Sequence, residues 1–225
     1  MGKDNTTFHT VIFPSTLIGS GQPWTKLKQI STTEFLNYEI DPETGKPLKF
    51  SKTRHTGVFG DDAMKTGINS EVFRYFLLIN RPENQDTVFT WDDFVAKNNG
   101  ELLNNLGNWS NRALKFVASS YSGVIPGYPG KPQYHDKDQA FIDELINKVK
   151  EYMNLMEAVK LKDGLRLAMQ YSSDCNQYFQ DNKPWELAKS DKTRCDQVVN
   201  TAINALFLLC VILEPYIPSF SAKVY

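Results

Sequence analysis

From Val198 to Leu213 the chain is apolar on nearly every side of a helical wheel, and Pro215 ends the run. A helix without a polar face cannot lie on a surface and must be enclosed by others. Three earlier segments carry the stripes that would enclose it at 3.6-residue spacing. They are Leu102, Leu106, Trp109, Ala113 and Phe116; Phe141, Leu145, Val149, Tyr152 and Met156; and Leu161, Leu165, Ala168, Ser172, Cys175 and Phe179. Thr90 before Trp91, Asp92 and Asp93 is a suitable N-cap with an acidic first turn, and Ser122 to Gln133 is a Pro/Gly-rich connection. The second half is therefore expected to be an antiparallel helix bundle whose stripes are core. The longest apolar run, Ala205 to Leu213, is far short of the roughly 20 residues that span a bilayer, so no membrane partner is expected.

The first half is written differently. Up to about Pro82 it mixes short strand-like and helical stretches, dense in Gly and Pro, and reads as α/β. A strand is expected over Glu34 to Ile40, with a turn at Asp41 to Gly45 leading back toward Lys46. Asn69-Ser70 is expected to cap a short helix over Glu71 to Leu78. Trp24, Trp91 and Trp109 are expected to pack. Cys175, Cys195 and Cys210 are odd in number and lack ligand spacing, which suggests no disulfide framework, no metal site and a reducing compartment. No charged-then-apolar leader opens the sequence, so a cytoplasmic location is expected. A net charge of -1 argues against a bulk-basic nucleic-acid binder and leaves any such role to local patches.

One such patch stands out. Between Glu43 and Asp61 there is no carboxylate, yet Lys46, Lys49, Lys52 and Arg54 fall close together beside His55. Ser51 and Thr53 add hydroxyl donors, and Gly57 and Gly60 give the flanking backbone freedom. A solvated basic loop and a phosphate-binding loop both fit these residues. In the second case, lysines that meet the phosphates mainly in the transition state lower the barrier rather than merely tighten binding.

The wording of the loop weighs on that choice. Lys49-Phe50-Ser51-Lys52-Thr53 closely resembles the KMSKS signature of class I aminoacyl-tRNA synthetases, with Phe50 for Met and Thr53 for the final Ser. Met1 to Asn5, Phe8-His9, Tyr38, Gly57 to Asp61, Arg81-Pro82-Glu83 and Asn98 through Arg112 resemble, in order, eukaryotic cytoplasmic methionyl-tRNA synthetases. The likeness is strongest through about Lys115. Glu39 to Leu48 looks longer than in relatives and is expected to form an extended hairpin. The resemblance implies that the loop closes over ATP, brought with magnesium, while methionine is activated, and that Lys49 and Lys52 are catalytic, with Ser51 and Lys52 on the phosphates. It also implies that Gly2 and Asp4 of a Gly-x-Asp element receive the ribose and that His9 lies against the methionine pocket. Taken alone, Asp4 reads as a surface turn residue and His9 as a half-buried polar one.

On the bundle, Asn104, Asn108, Asn111 and Lys115 cluster opposite the apolar stripe, with Arg112 at their edge. Amides and a guanidinium plane suit single-stranded RNA, although an amide-rich solvated face fits as well. The resemblance implies that Asn108 and Arg112 contact the anticodon. It further implies that Trp185, in Asn182-Lys183-Pro184-Trp185, stacks on an anticodon base, where the residues alone allow a buried corner-filler.

The expected architecture is mainly α. Residues 1–57 would be the C-terminal part of an α/β Rossmann-like class I catalytic domain, 58–92 a stem-contact connection, and 93–225 a helical anticodon-binding domain. Nothing resembles the HIGH motif, so the chain is expected to be the C-terminal portion of a methionine-tRNA ligase, with Met1 internal or an artificial start. It should recognise the CAU anticodon of tRNA(Met) yet activate methionine poorly alone. A helical scaffold that docks other synthetases is the competing expectation, although such contacts within the family come from additional domains not expected here.

Overall fold

The computed structural model describes residues 1–127 and 134–224, so the expected connection Ser122 to Gln133 lies partly outside the described residues. The chain divides into two compact units: 1–68 with 80–93, and 69–79 with 94–225. The segment 58–92 is thus shared between them, its helix Ser70–Ile79 lying in the second unit and its helix Gly60–Lys65 and strand Thr87–Phe89 in the first.

In the first unit a helical run opens with a tight turn at Lys3–Asn5, widens over Phe8–Ile12 and continues as α1, Phe13–Gly19. Its apolar side chains Phe8, Val11, Ile12, Phe13 and Ile18 are exposed. Next come β1, Leu36–Ile40, and β2, Pro47–Leu48. They form the expected hairpin, antiparallel with Tyr38 opposite Leu48 and Ile40 opposite Pro47. Asp41 fixes the turn by accepting from the backbone N–H of Glu43 at 2.9 Å, and Gly45 takes the left-handed φ of 64° that the reversal requires. α2, Gly60–Lys65, follows the basic loop. β3, Thr87–Phe89, then lies parallel to β1, Leu36 opposite Thr87 and Tyr38 opposite Phe89, giving the order β2-β1-β3.

The hairpin is irregular between Tyr38 and Ile40, where Glu39 has φ 49°. That bulge turns the Glu39 carboxylate toward the backbone N–H of Trp91, 3.0 Å away, at the start of α4, Trp91–Lys97. Thr90 caps the same helix through Asp93, at 3.2 Å, as its position predicts. The expectation for Trp24 is corrected: it is 57% exposed, because it lies on a segment outside the helices and strands over which the described residues pack no element, and its indole N–H donates to Ser20 at 3.0 Å.

The second unit is helical. Asn69 caps α3, Ser70–Ile79, by accepting from Glu71 N–H at 2.8 Å. Beyond Lys97 the winding widens over Asn98–Gly107 before α5, Asn108–Ser120, where uniform 3.6-residue winding is expected. Asn105 ties this stretch down, donating to the Met169 carbonyl at 2.9 Å and accepting from Ser172 at 3.0 Å. The stripe survives, with Leu106, Trp109 and Ala113 buried. α6, Asp136–Glu157, α7, Leu161–Asn182, and α8, Pro184–Ser190, follow.

Asp191 accepts from Arg194 N–H at 3.0 Å, so α9 begins at Lys192, upstream of its apolar run, and continues to Leu213. By length and composition α9 could cross a membrane. Here it is the core of the bundle, with Val198, Ala202, Leu206, Leu209 and Leu213 buried against α5, α6 and α7. Beyond Pro215, Arg74 donates to the carbonyls of Pro215 and Tyr216 at 2.7 and 2.8 Å, receiving the end of α9. α10, Pro218–Val224, closes the described chain.

Candidate functional site

The basic loop is a short closed turn. Ser51 and Thr56 exchange backbone hydrogen bonds at 2.8 and 3.0 Å, and His55, at φ 52°, turns the chain between them. Phe50 is its anchor, its ring 5.4 Å from Tyr38 and 6.0 Å from Phe59. Gly57 makes this possible: at φ 133° it occupies backbone space closed to other residues, and a Cβ there would collide with the Phe50 ring. Lys49, Lys52 and Thr53 remain exposed, and Ser51 is half-buried with its hydroxyl 3.2 Å from that of Thr53. Lys52 and His55 border an open polar cavity of about 580 Å³ with Asp61, Asp62 and Lys65. Among the described residues no group of three or more His, Cys, Asp or Glu is arranged to hold a metal ion.

The loop and the first residues meet at one ring. The ammonium of Lys49 lies 5.6 Å from the centre of Phe35, and that of Lys3 lies 4.7 Å from it. Gly2 pairs in parallel with Thr33, and the Lys3 N–H donates to the Thr33 carbonyl at 2.9 Å. The Gly2-Lys3-Asp4 turn and the lysine loop therefore flank Phe35, although they are far apart in sequence. Glu34 and Asp86 pair with Lys3, and the hydrogen bond to Glu34 raises its pKa. Asp4 and His9 are both exposed, the latter on the wide helical turn Phe8–Ile12.

On the bundle, the sequence-selected residues come together by pairs. The guanidinium of Arg112, on α5, lies 5.6 Å from the ring of Trp185 at the start of α8, and 5.9 Å from Phe179 of α7. Arg112 is held flat by two amides on α7, donating to Asn176 at 2.9 Å and Gln180 at 2.7 Å. Both partners are neutral, so the cation is oriented without being cancelled. Trp185 packs edge-on against Phe179, 6.2 Å away, and is 36% exposed, so it is not a buried corner-filler. Asn108 is exposed one turn before Arg112. Lys183, at φ 44° and ψ 61°, makes the sharp corner that delivers Trp185, while Pro184 is buried. Sequence reasoning missed Asn176, Phe179 and Gln180 as a group. Their signal is the i, i+4 amide pair beside an aromatic, intelligible only when Arg112 is known to face it.

Residues 1–114 match the family described as tRNA synthetases class I (M), and 128–225 match the anticodon binding domain of methionyl tRNA ligase. The chain belongs to the class I tRNA synthetases (M). It is 49% identical to a probable methionine–tRNA ligase of Oryza sativa subsp. japonica and 51% to a probable cytoplasmic one of Dictyostelium discoideum. It is 40% identical to the cytoplasmic methionine–tRNA ligase of Homo sapiens. These alignments cover 100% of this chain but only 28%, 29% and 24% of the respective relatives. The apo methionyl-tRNA synthetase of Mycobacterium tuberculosis shares the fold, with TM-score 0.81 and 23% identity over 99% of this chain and 41% of that one. The same enzyme bound to methionyl-adenylate gives TM-score 0.80 and 22% identity, over 99% of this chain and 42% of that one.

Within a class I tRNA synthetase (M), the two clusters fall in different matched regions. The lysine loop lies within the part matched to the synthetase family, and Trp185 within the part matched to the anticodon binding domain. Arg112 falls at the end of the first matched region, so the Arg112–Trp185 pair draws on both.

Proposed function

We propose that the helical unit recognises the CAU anticodon of tRNA(Met), with Asn108, Arg112 and Trp185 as the readers. The observation that carries this reading is the oriented, uncancelled Arg112 guanidinium set against the half-exposed Trp185 indole. An indole face accepts a splayed base, and a guanidinium with spare donors hydrogen-bonds its edge, which is how single-stranded RNA is read. Titration of a fluorescent anticodon stem-loop tests it. The cognate loop should bind about tenfold or more tightly than one with a changed anticodon, since base reading discriminates and phosphate attraction does not. Equal affinities would overturn the reading.

The same reading extends to the parent reaction: activation of methionine by ATP and its transfer to tRNA(Met), in the cytoplasm as in the relatives so named. The methionine carboxylate attacks the α-phosphorus of ATP, the bond to the β-phosphate oxygen breaks, and pyrophosphate leaves with the negative charge. Lys52, exposed beside the polar cavity, and Lys49 supply cations to that developing charge, with Ser51 donating to phosphate oxygen. Gly2 and Asp4 meet the ribose, a role supported by the flank on Phe35 that their turn shares with Lys49 through Lys3, and His9, exposed on the wide helical turn that follows, meets the amino acid. Magnesium travels with the triphosphate as part of the substrate. Because the chain spans under a third of its relatives, and α1 exposes its apolar side chains, we infer that it forms little methionyl-adenylate alone. Methionine-dependent pyrophosphate exchange at the level of a full-length ligase would overturn that inference.

A further inference from the structure

The corner that presents Trp185 is fastened on both sides by adjacent residues of α9. On one side, Asn182 accepts from Arg194 Nη2 at 2.7 Å, and its own amide donates to the Tyr178 carbonyl at 2.9 Å. Arg194 is in turn gripped by Asp138, whose Oδ1 accepts from Nη2 at 2.8 Å while Oδ2 pairs with Nη1. Asp138 is 0% exposed and also receives the Tyr178 hydroxyl at 2.7 Å. On the other side, the buried Cys195 thiol donates to the Pro184 carbonyl at 3.3 Å. Tyr121 steadies that thiol from outside, its hydroxyl 3.1 Å from Sγ and donating to Asp196 at 2.8 Å.

Asn182 and Pro184 flank Lys183, the one residue of the corner whose left-handed backbone is costly for a side chain. A corner of this kind persists only where its surroundings over-determine it, and here consecutive residues of one helical turn hold it before and after the bend. Stability alone is a weak reason to bury a carboxylate and a guanidinium, because apolar replacements of such pairs are often as stable or more so. What an ion pair with a fixed fork adds is direction. A base-stacking indole gains from direction, since a small rotation lifts the ring off the base.

We propose that Asp138, Arg194 and Cys195 are positioning residues that set the angle of the Trp185 indole for the anticodon base. The inference rests on the anticodon reading above and assigns a task to the network behind the Lys183 corner.

Its test uses the full 225-residue chain and two stem-loops, one with the CAU anticodon and one changed. Cys195→Ala removes the tie to Pro184, and Arg194→Lys keeps the charge but loses the fork. Each should weaken cognate binding about fivefold to tenfold, near the worth of one or two hydrogen bonds, and lose most of the CAU preference. Cys195→Ser, which restores a donor, should recover both. Ile212→Val, a core change at a residue 5% exposed, serves as a thermal control and should leave both affinities unchanged at a comparable loss of melting temperature. Trp185→Ala separates the two claims. If it loses discrimination while Cys195→Ala and Arg194→Lys keep that of the wild type, the positioning role is overturned and the anticodon reading stands. If Trp185→Ala itself discriminates like the wild type, the anticodon reading falls and this inference falls with it.

Discussion

The Arg112 guanidinium and the Trp185 ring, 5.6 Å apart, come from different helices and are both braced by Phe179, which lies 5.9 Å from the cation and 6.2 Å from the indole. The cation, oriented by Asn176 and Gln180, lies within cation–π reach of the Trp185 ring, and Phe179 packs edge-on against that ring. Trp185→Ala is expected to weaken the cognate stem-loop by about 10- to 100-fold, the usual worth of one stacked base. Arg112→Lys keeps the charge but not the flat fork on Asn176 and Gln180. It should cost about tenfold on the cognate loop and little on a changed one, as read by fluorescence anisotropy. A loss shared equally by both loops would reduce Arg112 to a phosphate contact.

Lys52 and Gly57, five residues apart, should respond in opposite ways. Lys52 is exposed, so Lys52→Ala should leave the urea midpoint of the chain unchanged. In any form of the protein that carries out pyrophosphate exchange it should slow that step by ~100-fold, through loss of charge stabilisation at the leaving group. Gly57→Ala places a Cβ against Phe50 at a φ of 133°. It should unseat Phe50 from between Tyr38 and Phe59 and cost about 1–3 kcal/mol, seen as a lower melting temperature of the first unit. An unchanged melting temperature would show that the Phe50 anchor is not what holds the loop.

What could be read from the sequence was whatever is encoded locally. Asn69 and Thr90 cap the helices their positions announce, because a cap needs only its own next three residues. The three stripes bury Leu106, Leu145 and Leu165, and the all-apolar run is the centre of the bundle, because the 3.6 period is itself a record of burial. The lysine loop announced itself by its wording. What escaped was long-range or anomalous. The wide winding of Asn98–Gly107 depends on Asn105 reaching Met169, 64 residues away, and no local signal marks it. Asp138 meets Arg194 across 56 residues, and Arg112 meets Gln180 across 68. Trp24 was expected to pack because tryptophans usually do, but packing needs a partner, and the described residues bring none over it.

The buried thiols set a pH limit. Burial pushes Cys210 up to about 11 and Cys175 well above the ordinary thiol range. With the folded value above the unfolded one, the native state keeps protons that the unfolded chain gives up. The stability these groups contribute is therefore fully present below about pH 8.5 and is lost as pH rises toward about 11. Urea midpoints should be flat from neutral pH to about 8 and then fall, with a shallower fall in Cys210→Ala. A thiol reagent at pH 8 should modify neither residue until the chain unfolds. Rapid labelling under native conditions would contradict the burial.

Asp138 should be among the most costly polar positions to alter. Truncating it strands Arg194, whose pKa the Asp138 hydrogen bond raises, and leaves the Tyr178 hydroxyl without its acceptor. Asp138→Ala should lose about 3–5 kcal/mol in urea unfolding, as expected for a buried pair broken on one side. Replacing both members together, as Asp138→Leu with Arg194→Met, should recover much of that stability. It should not recover anticodon preference if the pair directs Trp185.

Gly164 sets two effects of known size against each other. It lies buried inside α7, where glycine normally costs a helix about 1 kcal/mol relative to alanine, so Gly164→Ala should be stabilising on propensity alone. A Cβ at this position, however, would stand 2.8 Å from the Tyr216 hydroxyl and 3.0 Å from the Met156 sulfur. The hydroxyl cannot simply retreat, because it donates to the Leu161 carbonyl at 3.0 Å, and Tyr216 is 1% exposed within the core. Overpacking of about 1–3 kcal/mol, with that hydrogen bond lost, should outweigh the gain and leave the variant destabilised by roughly 1–2 kcal/mol. Removing the obstructing oxygen reverses the balance. Tyr216→Phe should be mildly destabilising alone but should restore Gly164→Ala to near its own level, a coupling visible in a double-mutant cycle of urea unfolding. Strict additivity would mean that the two side chains do not compete for the space above Gly164.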